Sequence, residues 1–222
     1  DLIQSDVVQV SRLNEIFRQA AESRIIQAAH DINNGQAPVE FTTAAKPSAK
    51  SDFFFIERND PEKAADMIIR LLREQIPEKF GLDPIHDVQV LTPMHRGSLG
   101  TRSLNRRIQD ALNPANEATF EVERFGSCFR TGDRVIQLRN NYEKEVFNGD
   151  IGSITEIVTD PGSITVRFDN GRLADYEPGE LDELAPAFAI TVHKSQGSEF
   201  PCVILPVATQ QFVLLQRNLL YT

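Results

Sequence analysis

The sequence predicts an α/β protein, a mostly parallel sheet with helices on its faces, interrupted by a small antiparallel β insert. Three observations lead there. Strand-like and helix-like segments alternate up to about Phe125. Short Val- and Ile-rich runs then follow one another, separated by turn pairs such as Gly132-Asp133, Asn148-Gly149, Pro161-Gly162, Asn170-Gly171 and Pro178-Gly179. The alternating texture returns at Phe188. The first pattern is that of a parallel sheet covered by helices, and the second that of a small sandwich or barrel.

Taken in order, Val7, Val8 and Val10 read as the end of a buried strand. Ile25, Ile26, Ala28, Ala29 and Ile32 have helical spacing, stopped by Asn33-Asn34-Gly35. The polar stretch 36–51, with Pro38 and Pro47, reads as a loop, and Phe53–Ile56 as a short buried strand. Asp60-Pro61-Glu62 is a helix start: Asp60 can cap, Pro61 suits the first helical position, and Glu62 meets the positive helix end. Ala64, Ile68, Leu71 and Leu72 form that helix's apolar face. Val88–Leu91 is a strand, followed by a loop and a helix carrying Leu104, Ile108 and Leu112. The insert's strands are 134–138, 152–158, 163–168 and 172–176, and the main sheet resumes with Phe188–Val192 and Val203–Leu205. The organisation expected is a discontinuous α/β domain, 1–126 and 187–222, around an inserted β domain, 127–186.

Composition narrows the function classes. The chain has 222 residues, 41% hydrophobic and 25% charged, enough to build a core without disulfides. No run of about 18 apolar residues could span a bilayer, and the opening Asp1–Asp6 has no leader pattern. Cys128 and Cys202 have no CxxC spacing and no histidines beside them, so both read as reduced, partly buried residues of a cytoplasmic chain, and no metal site is expected. The net charge of −9 argues against a polyanionic partner until its distribution is considered. Between Val88 and Gln109 there is no acidic side chain, while Arg96, Arg102, Arg106 and Arg107 all fall there. An acidic body can carry such a cationic track, and a solvated helix face would look the same.

Three segments carry the chemistry. In Leu13–Gln19, Arg18 at a strand-to-helix loop can present a permanently charged fork to phosphate, or form a structural ion pair. Thr92–Gly100 follows a strand, where parallel sheets bind ligands, and Arg96 with the backbone N–H groups of Gly97 and Gly100 could hold phosphate there. Turn formation alone would also explain its glycines. Thr191–Phe200 is a mostly polar loop between two apolar strands, a costly element to leave idle in a core connection.

Leu-x-x-x-Phe-Arg-Gln, then Thr-Pro-Met-His-Arg-Gly, then Thr-Val-His-Lys-Ser-Gln-Gly-Ser-Glu-Phe resemble motifs IV, IVa and V of superfamily 1 helicases. With Arg-Thr-Gly-Asp-Arg-Val and Phe-Asn-Gly-Asp-Ile-Gly in the insert, the set resembles the RecD-like branch, which includes the alpha subunit of exodeoxyribonuclease V. The resemblance runs essentially from Leu2 to Thr222. It implies a RecA-like motor domain, the second of two, with an inserted SH3-like β-barrel. By the same resemblance Arg18 is an arginine finger supported by Gln19, and Gly197 and Glu199 lie near nucleotide. Thr191, His193 and Lys194 touch single-stranded DNA, with Thr92, Met94, Arg96, Asn140 and Asn141 as further contacts.

The implied cofactors are ATP and Mg²⁺ in an intact protein. The implied partners are single-stranded DNA, the first motor domain of the same chain and other exodeoxyribonuclease V subunits. These 222 residues contain no Gly-x-x-x-x-Gly-Lys-Ser/Thr phosphate loop, so they are expected to be part of a longer motor and not to hydrolyse ATP alone. The alternative readings are a non-catalytic single-stranded nucleic-acid-binding module and a protein-interaction module built on the insert.

Overall fold

The computed structural model describes residues 7, 9, 23–42, 51–116, 119–160, 162–209 and 216–221. The chain divides into two units, 1–57 with 216–221, and 58–215.

In the first unit, Ser23 caps helix α1 (Arg24–Asn33) by accepting from the Ile26 N–H at 3.3 Å. The Ser23 hydroxyl also donates to Asp52 at 2.6 Å, and the Arg24 N–H donates to the same carboxylate at 2.8 Å. The helix stops where the amide-and-glycine signal places its end: Gly35 has φ +78°, and the Gly35 and Gln36 N–H groups bond back to Ile32 and Asp31. Three expectations fail here. The stretch read as a loop contains a helical turn, α2 (Val39–Thr42), held to α1 by Arg24–Glu40 at 2.8 Å. Phe53–Ile56 is not a strand; Phe53 and Phe55 pack on the Phe41 ring, with centroids 6.3 and 4.7 Å away, and Phe55 and Ile56 are exposed. Val7 lies exposed in a bend. An apolar run becomes a strand only when a partner ladder and a packing face receive it. Val8, Val10, and the whole Leu13–Gln19 segment with Arg18 and Gln19, lie outside the described residues. A last short helix, α6 (Arg217–Tyr221), belongs to this unit.

The second unit opens as its sequence dictates. Asp60 accepts from the Lys63 N–H at 2.9 Å and Pro61 occupies the first position of α3 (Pro61–Arg70). The helix continues through a π turn at Leu71–Gln75 into α4 (Ile76–Phe80), which Gly81 ends in the left-handed conformation. Strand β1 (Val88–Thr92) then enters the core, and α5 (Thr101–Leu112) returns over it. Strands β2 (Glu121–Arg124) and β3 (Ser127–Arg130) make a hairpin. Next come β4 (Arg134–Gln137), β5 (Ile151–Val158), β6 (Ser163–Phe168), β7 (Leu173–Tyr176) and β8 (Leu184–Pro186). The chain closes the parallel sheet with β9 (Ala189–Thr191) and β10 (Cys202–Ile204).

Two sheets with separate cores result. The parallel sheet runs β10-β1-β9, and Ile68, Leu72, Val88, Val90, Leu104 and Ile108 are buried around it. The antiparallel sheet runs β7-β6-β5-β4-β8 over Phe129, Ile154, Val166, Phe168 and Tyr176. Among the described residues no β7–β8 ladder closes it into a barrel. β8 is three residues long and ends in Pro186, which has no N–H to extend a ladder. A third apolar cluster, Ile136, Ile151, Ala187 and Ile190, joins the two sheets.

A polar stripe on α5 fixes this junction. Asn105 exchanges two 2.8 Å bonds with the backbone of Ala189. One turn on, Gln109 donates to the Cys128 carbonyl at 2.9 Å and to Asp133 at 2.6 Å. After another turn Asn113 donates to Thr131 and to Asp133. Asp133 is fully buried, and burial pushes its carboxyl above the usual range although Asn113, the Arg130 N–H and Gln109 all donate to it. Spacing of four residues places these amides on one helix face, so α5 anchors both β9 and the entry to the antiparallel sheet.

Candidate nucleic-acid interface

The parallel strands β1 and β9 pair in register, with Thr92 opposite Thr191, and each ends in a loop at its carboxyl edge. That edge is where open parallel sheets hold ligands. After Thr92 the chain folds on itself. The Thr92 hydroxyl is fully buried and donates to the Leu99 carbonyl at 2.6 Å. The Gly100 N–H donates to Gly97, and the Thr101 N–H to Met94, both at 3.0 Å. Met94 is half-buried, whereas Arg96 is exposed. Thr92 therefore braces its loop, and of the three sequence candidates there only Arg96 has an exposed charge.

After Thr191 the chain enters a single 3₁₀ turn, Val192–Ser195. The Thr191 hydroxyl, itself buried, accepts from the Lys194 N–H at 3.4 Å, and Ser195 donates to the Val192 carbonyl at 2.8 Å. Gly197 then reverses the chain at φ +85°. This geometry leaves His193 exposed and directs the Lys194 ammonium at the inserted sheet, where it donates to the Asn148 side-chain amide oxygen, Oδ1, at 2.6 Å. A cleft of about 340 Å³ lies there. One wall is Asn148, Gly149 and Asp150, and the other is His193, Lys194 and the 196–198 backbone turn. Gly149 has φ +100°, and Asp150 accepts from the Phe147 N–H at 2.8 Å, so its carboxylate is partly committed to holding the turn. Between the two sheets the cleft thus offers a cation, an imidazole and backbone groups, with the Asp150 carboxylate turned to the Phe147 N–H.

The remaining candidates separate. Gly197 lines the cleft, and Glu199, two residues on, is exposed. Asn140 accepts from the Asn148 N–H at 2.9 Å and so shapes the cleft from behind. Asn141 is turned inward, donating to Glu183 at 3.1 Å and accepting from the Lys144 N–H at 3.1 Å. Sequence reasoning missed the role of Asn148, which holds Lys194; its Asn-Gly pair reads as a turn and as part of the Phe-Asn-Gly-Asp-Ile-Gly motif, with no contact assigned to it. Among the described residues no group of three or more His, Cys, Asp or Glu side chains is arranged to hold a metal ion.

Residues 104–168 match the family described as the ATP-dependent RecD-like DNA helicase SH3 domain, and residues 186–222 match the UvrD-like helicase C-terminal domain. The ATP-dependent RecD2 DNA helicase of Deinococcus radiodurans is 35% identical over 211 residues, 95% of this chain and 26% of that protein. The chain belongs to the RecD-like helicases. The RecBCD enzyme subunit RecD of Buchnera aphidicola subsp. Acyrthosiphon pisum is 30% identical over 184 residues, covering 77% of this RecD-like chain and 30% of that protein. The chain thus spans about a quarter to a third of the length of these curated relatives. Two solved structures share its fold at a TM-score of 0.50. A Bacteroides Pif1 helicase, solved with ADP-AlF3 and single-stranded DNA, is 21% identical and matches 90% of the RecD-like chain and 46% of its own. The Candida albicans Pif1 helicase is 16% identical, with 93% and 51% covered.

Proposed function

We propose that this chain is the second motor domain of an ATP-dependent DNA helicase and grips one DNA strand in the His193–Lys194 cleft. The observation that carries this reading is the position of Lys194. It leaves the carboxyl edge of the parallel sheet and meets Asn148 of the antiparallel sheet across an open polar cleft. Contacts of that kind address the sugar-phosphate backbone and not base identity, as a motor that moves along any sequence requires. Thr191 and Thr92 then act as positioning residues, and Arg96 as an outlying phosphate contact.

In this reading the chain's share of the nucleotide site is Arg18 as the finger, Gln19 beside it, and Gly197 with Glu199 on the loop that also lines the cleft. ATP with Mg²⁺ supplies the phosphoryl group whose transfer drives movement. The chain's own residues place positive charge against the γ-phosphate and couple that placement to the strand through the 191–200 loop. The phosphate cradle and the metal ligands come from the first motor domain, and the 222 residues alone turn over no ATP. Subunits of an exodeoxyribonuclease V assembly are the further partners.

The test uses a protein containing both motor domains. Arg18→Ala is expected to lower DNA-stimulated ATP turnover by about 10³–10⁵ while single-stranded DNA affinity stays nearly unchanged. Lys194→Ala is expected to weaken DNA binding and to reduce the salt dependence of that binding by roughly one unit of slope. Hydrolysis in that variant recovers at high DNA concentration. If Arg18→Ala loses DNA binding yet keeps its maximal hydrolysis rate, the assignment of the two sites is wrong.

A further inference from the structure

We infer that the exposed Tyr142–Phe147 ring pair of the antiparallel domain is a base-stacking platform, completing the strand site whose phosphate side is the His193–Lys194 cleft. This rests on the strand-binding reading above.

Tyr142 and Phe147 are 75% and 46% exposed, large values for aromatic rings. They meet edge to face, with centroids 6.1 Å apart at 77°. The loop that presents them is firmly built. Asn141 and Val146 bond to each other as an antiparallel bridge, and Val146 is fully buried beneath it. Asn141 accepts from the Lys144 N–H and is itself held by Glu183. Lys144 reaches Glu180 at 3.1 Å while lying over the Tyr176 ring. A loop pinned at its base by this many bonds, yet holding two rings in water, is pre-organised for an aromatic or apolar partner.

The loop's chemistry selects among such partners. Its charges include Glu143 and Glu145, the latter paired with Arg172, so it does not attract phosphate. The rings are what it offers. They are also wired to the cleft: Asn140 donates to the Tyr142 hydroxyl at 3.4 Å and accepts from the Asn148 N–H at 2.9 Å. Asn148 follows Phe147 directly and holds Lys194 at 2.6 Å. A cation for the phosphate beside exposed rings for the bases is the combination that binds single strands without regard to sequence. The occupant is therefore a nucleobase of the strand whose backbone lies at Lys194.

The chain contains no tryptophan, so Tyr142→Trp creates a single fluorescent reporter. Binding would be measured for an oligodeoxythymidylate and for an abasic strand of equal length, across wild type, Tyr142→Ala and Lys194→Ala. The expected results are quenching of the Tyr142→Trp emission by the thymidylate and not by the abasic strand, and a loss of about tenfold in thymidylate affinity for Tyr142→Ala. Tyr142→Ala should leave the abasic strand's affinity as it was, whereas Lys194→Ala should weaken both strands. If the strands bind and depend on Lys194 but Tyr142→Ala changes neither, and the reporter stays bright, the platform is refuted, the cleft survives and the rings belong to a protein contact. If wild type binds neither strand, the strand-binding reading falls and the platform falls with it.

Discussion

Thr92 and Thr191 face each other across neighbouring parallel strands, yet the loops that follow them use their polar groups in opposite ways. In 92–100 the hydroxyl, the backbone N–H groups of Gly100 and Thr101, and the His95 ring all find partners inside the loop or at the start of α5. In 191–200 the backbone closes a 3₁₀ turn and one further turn, with the Ser198 N–H donating to the Ser195 carbonyl at 3.0 Å. The side chains, however, turn away from the loop: Lys194 reaches Asn148 beside the antiparallel sheet, and His193, Gln196, Gly197, Ser198 and Glu199 are exposed. Both loops are polar and glycine-bearing after a strand, although turn formation alone could explain the first and the second is the costlier to leave idle. What separates them is where the polar groups find partners. A buried polar group must be satisfied, so a loop that satisfies itself is architecture, and one that reaches outward is available to a ligand.

The largest effect that would sharpen this contrast comes from Gly100→Ala. A Cβ there would lie 2.4 Å from the Arg96 carbonyl oxygen and 2.6 Å from the Arg96 backbone nitrogen, so the backbone would have to shift. Such overpacking costs roughly 2–3 kcal/mol, which for a chain of this size lowers the melting temperature by about 5–10 °C. A thermal melt in which the variant matches wild type would show that the first loop is not locked at all.

Thr92→Val should have a smaller effect. It keeps the shape but strips the buried donor from the Leu99 carbonyl, at a cost of about 1–2 kcal/mol in urea-denaturation stability. Single-stranded DNA affinity should be unchanged, because the side chain is fully buried. A clear loss of affinity at unchanged stability would move Thr92 from brace to contact.

How much of this was legible follows the same line. Helix starts and stops at Asp60-Pro61 and Asn34-Gly35 were readable because their signals are local: a cap, a fixed φ, a glycine in the left-handed region. Strands β1, β4 to β7, β9 and β10 were readable from their apolar runs between turn pairs, whereas the hairpin β2–β3 and the three-residue β8 were not, because their exposed or short runs carry little apolar signal. Phe53–Ile56 misled because its apolar residues pack on Phe41 and gain no partner strand, which no local signal reveals. The Asn105, Gln109 and Asn113 stripe was present at helical spacing but is polar, and a search for apolar faces passes over it. In the candidate site, His193 and Lys194 stood out as charge in a polar loop. Asn148 did not, because its role depends on a residue 46 positions away meeting it across the cleft.

The smallest effect, and the one that tests the second loop most finely, is at Gly197. Nothing lies within 4 Å of a Cβ built there, so alanine meets no wall, unlike at Gly100. Its backbone, however, sits at φ +85°, where an L side chain costs about 1 kcal/mol. Gly197→Ala should therefore destabilise by less than Gly100→Ala and weaken DNA binding only as far as the turn relaxes. Asparagine tolerates the left-handed conformation, so Gly197→Asn should regain most of whatever alanine loses. Paired melts and DNA titrations of the two variants read both quantities. If asparagine rescues stability but not affinity, the missing Cβ is what matters, and a ligand passes close over this backbone. Should Gly197→Ala instead cost as much stability as Gly100→Ala, the outward loop is as rigidly built as the closed one, and the contrast between them fails.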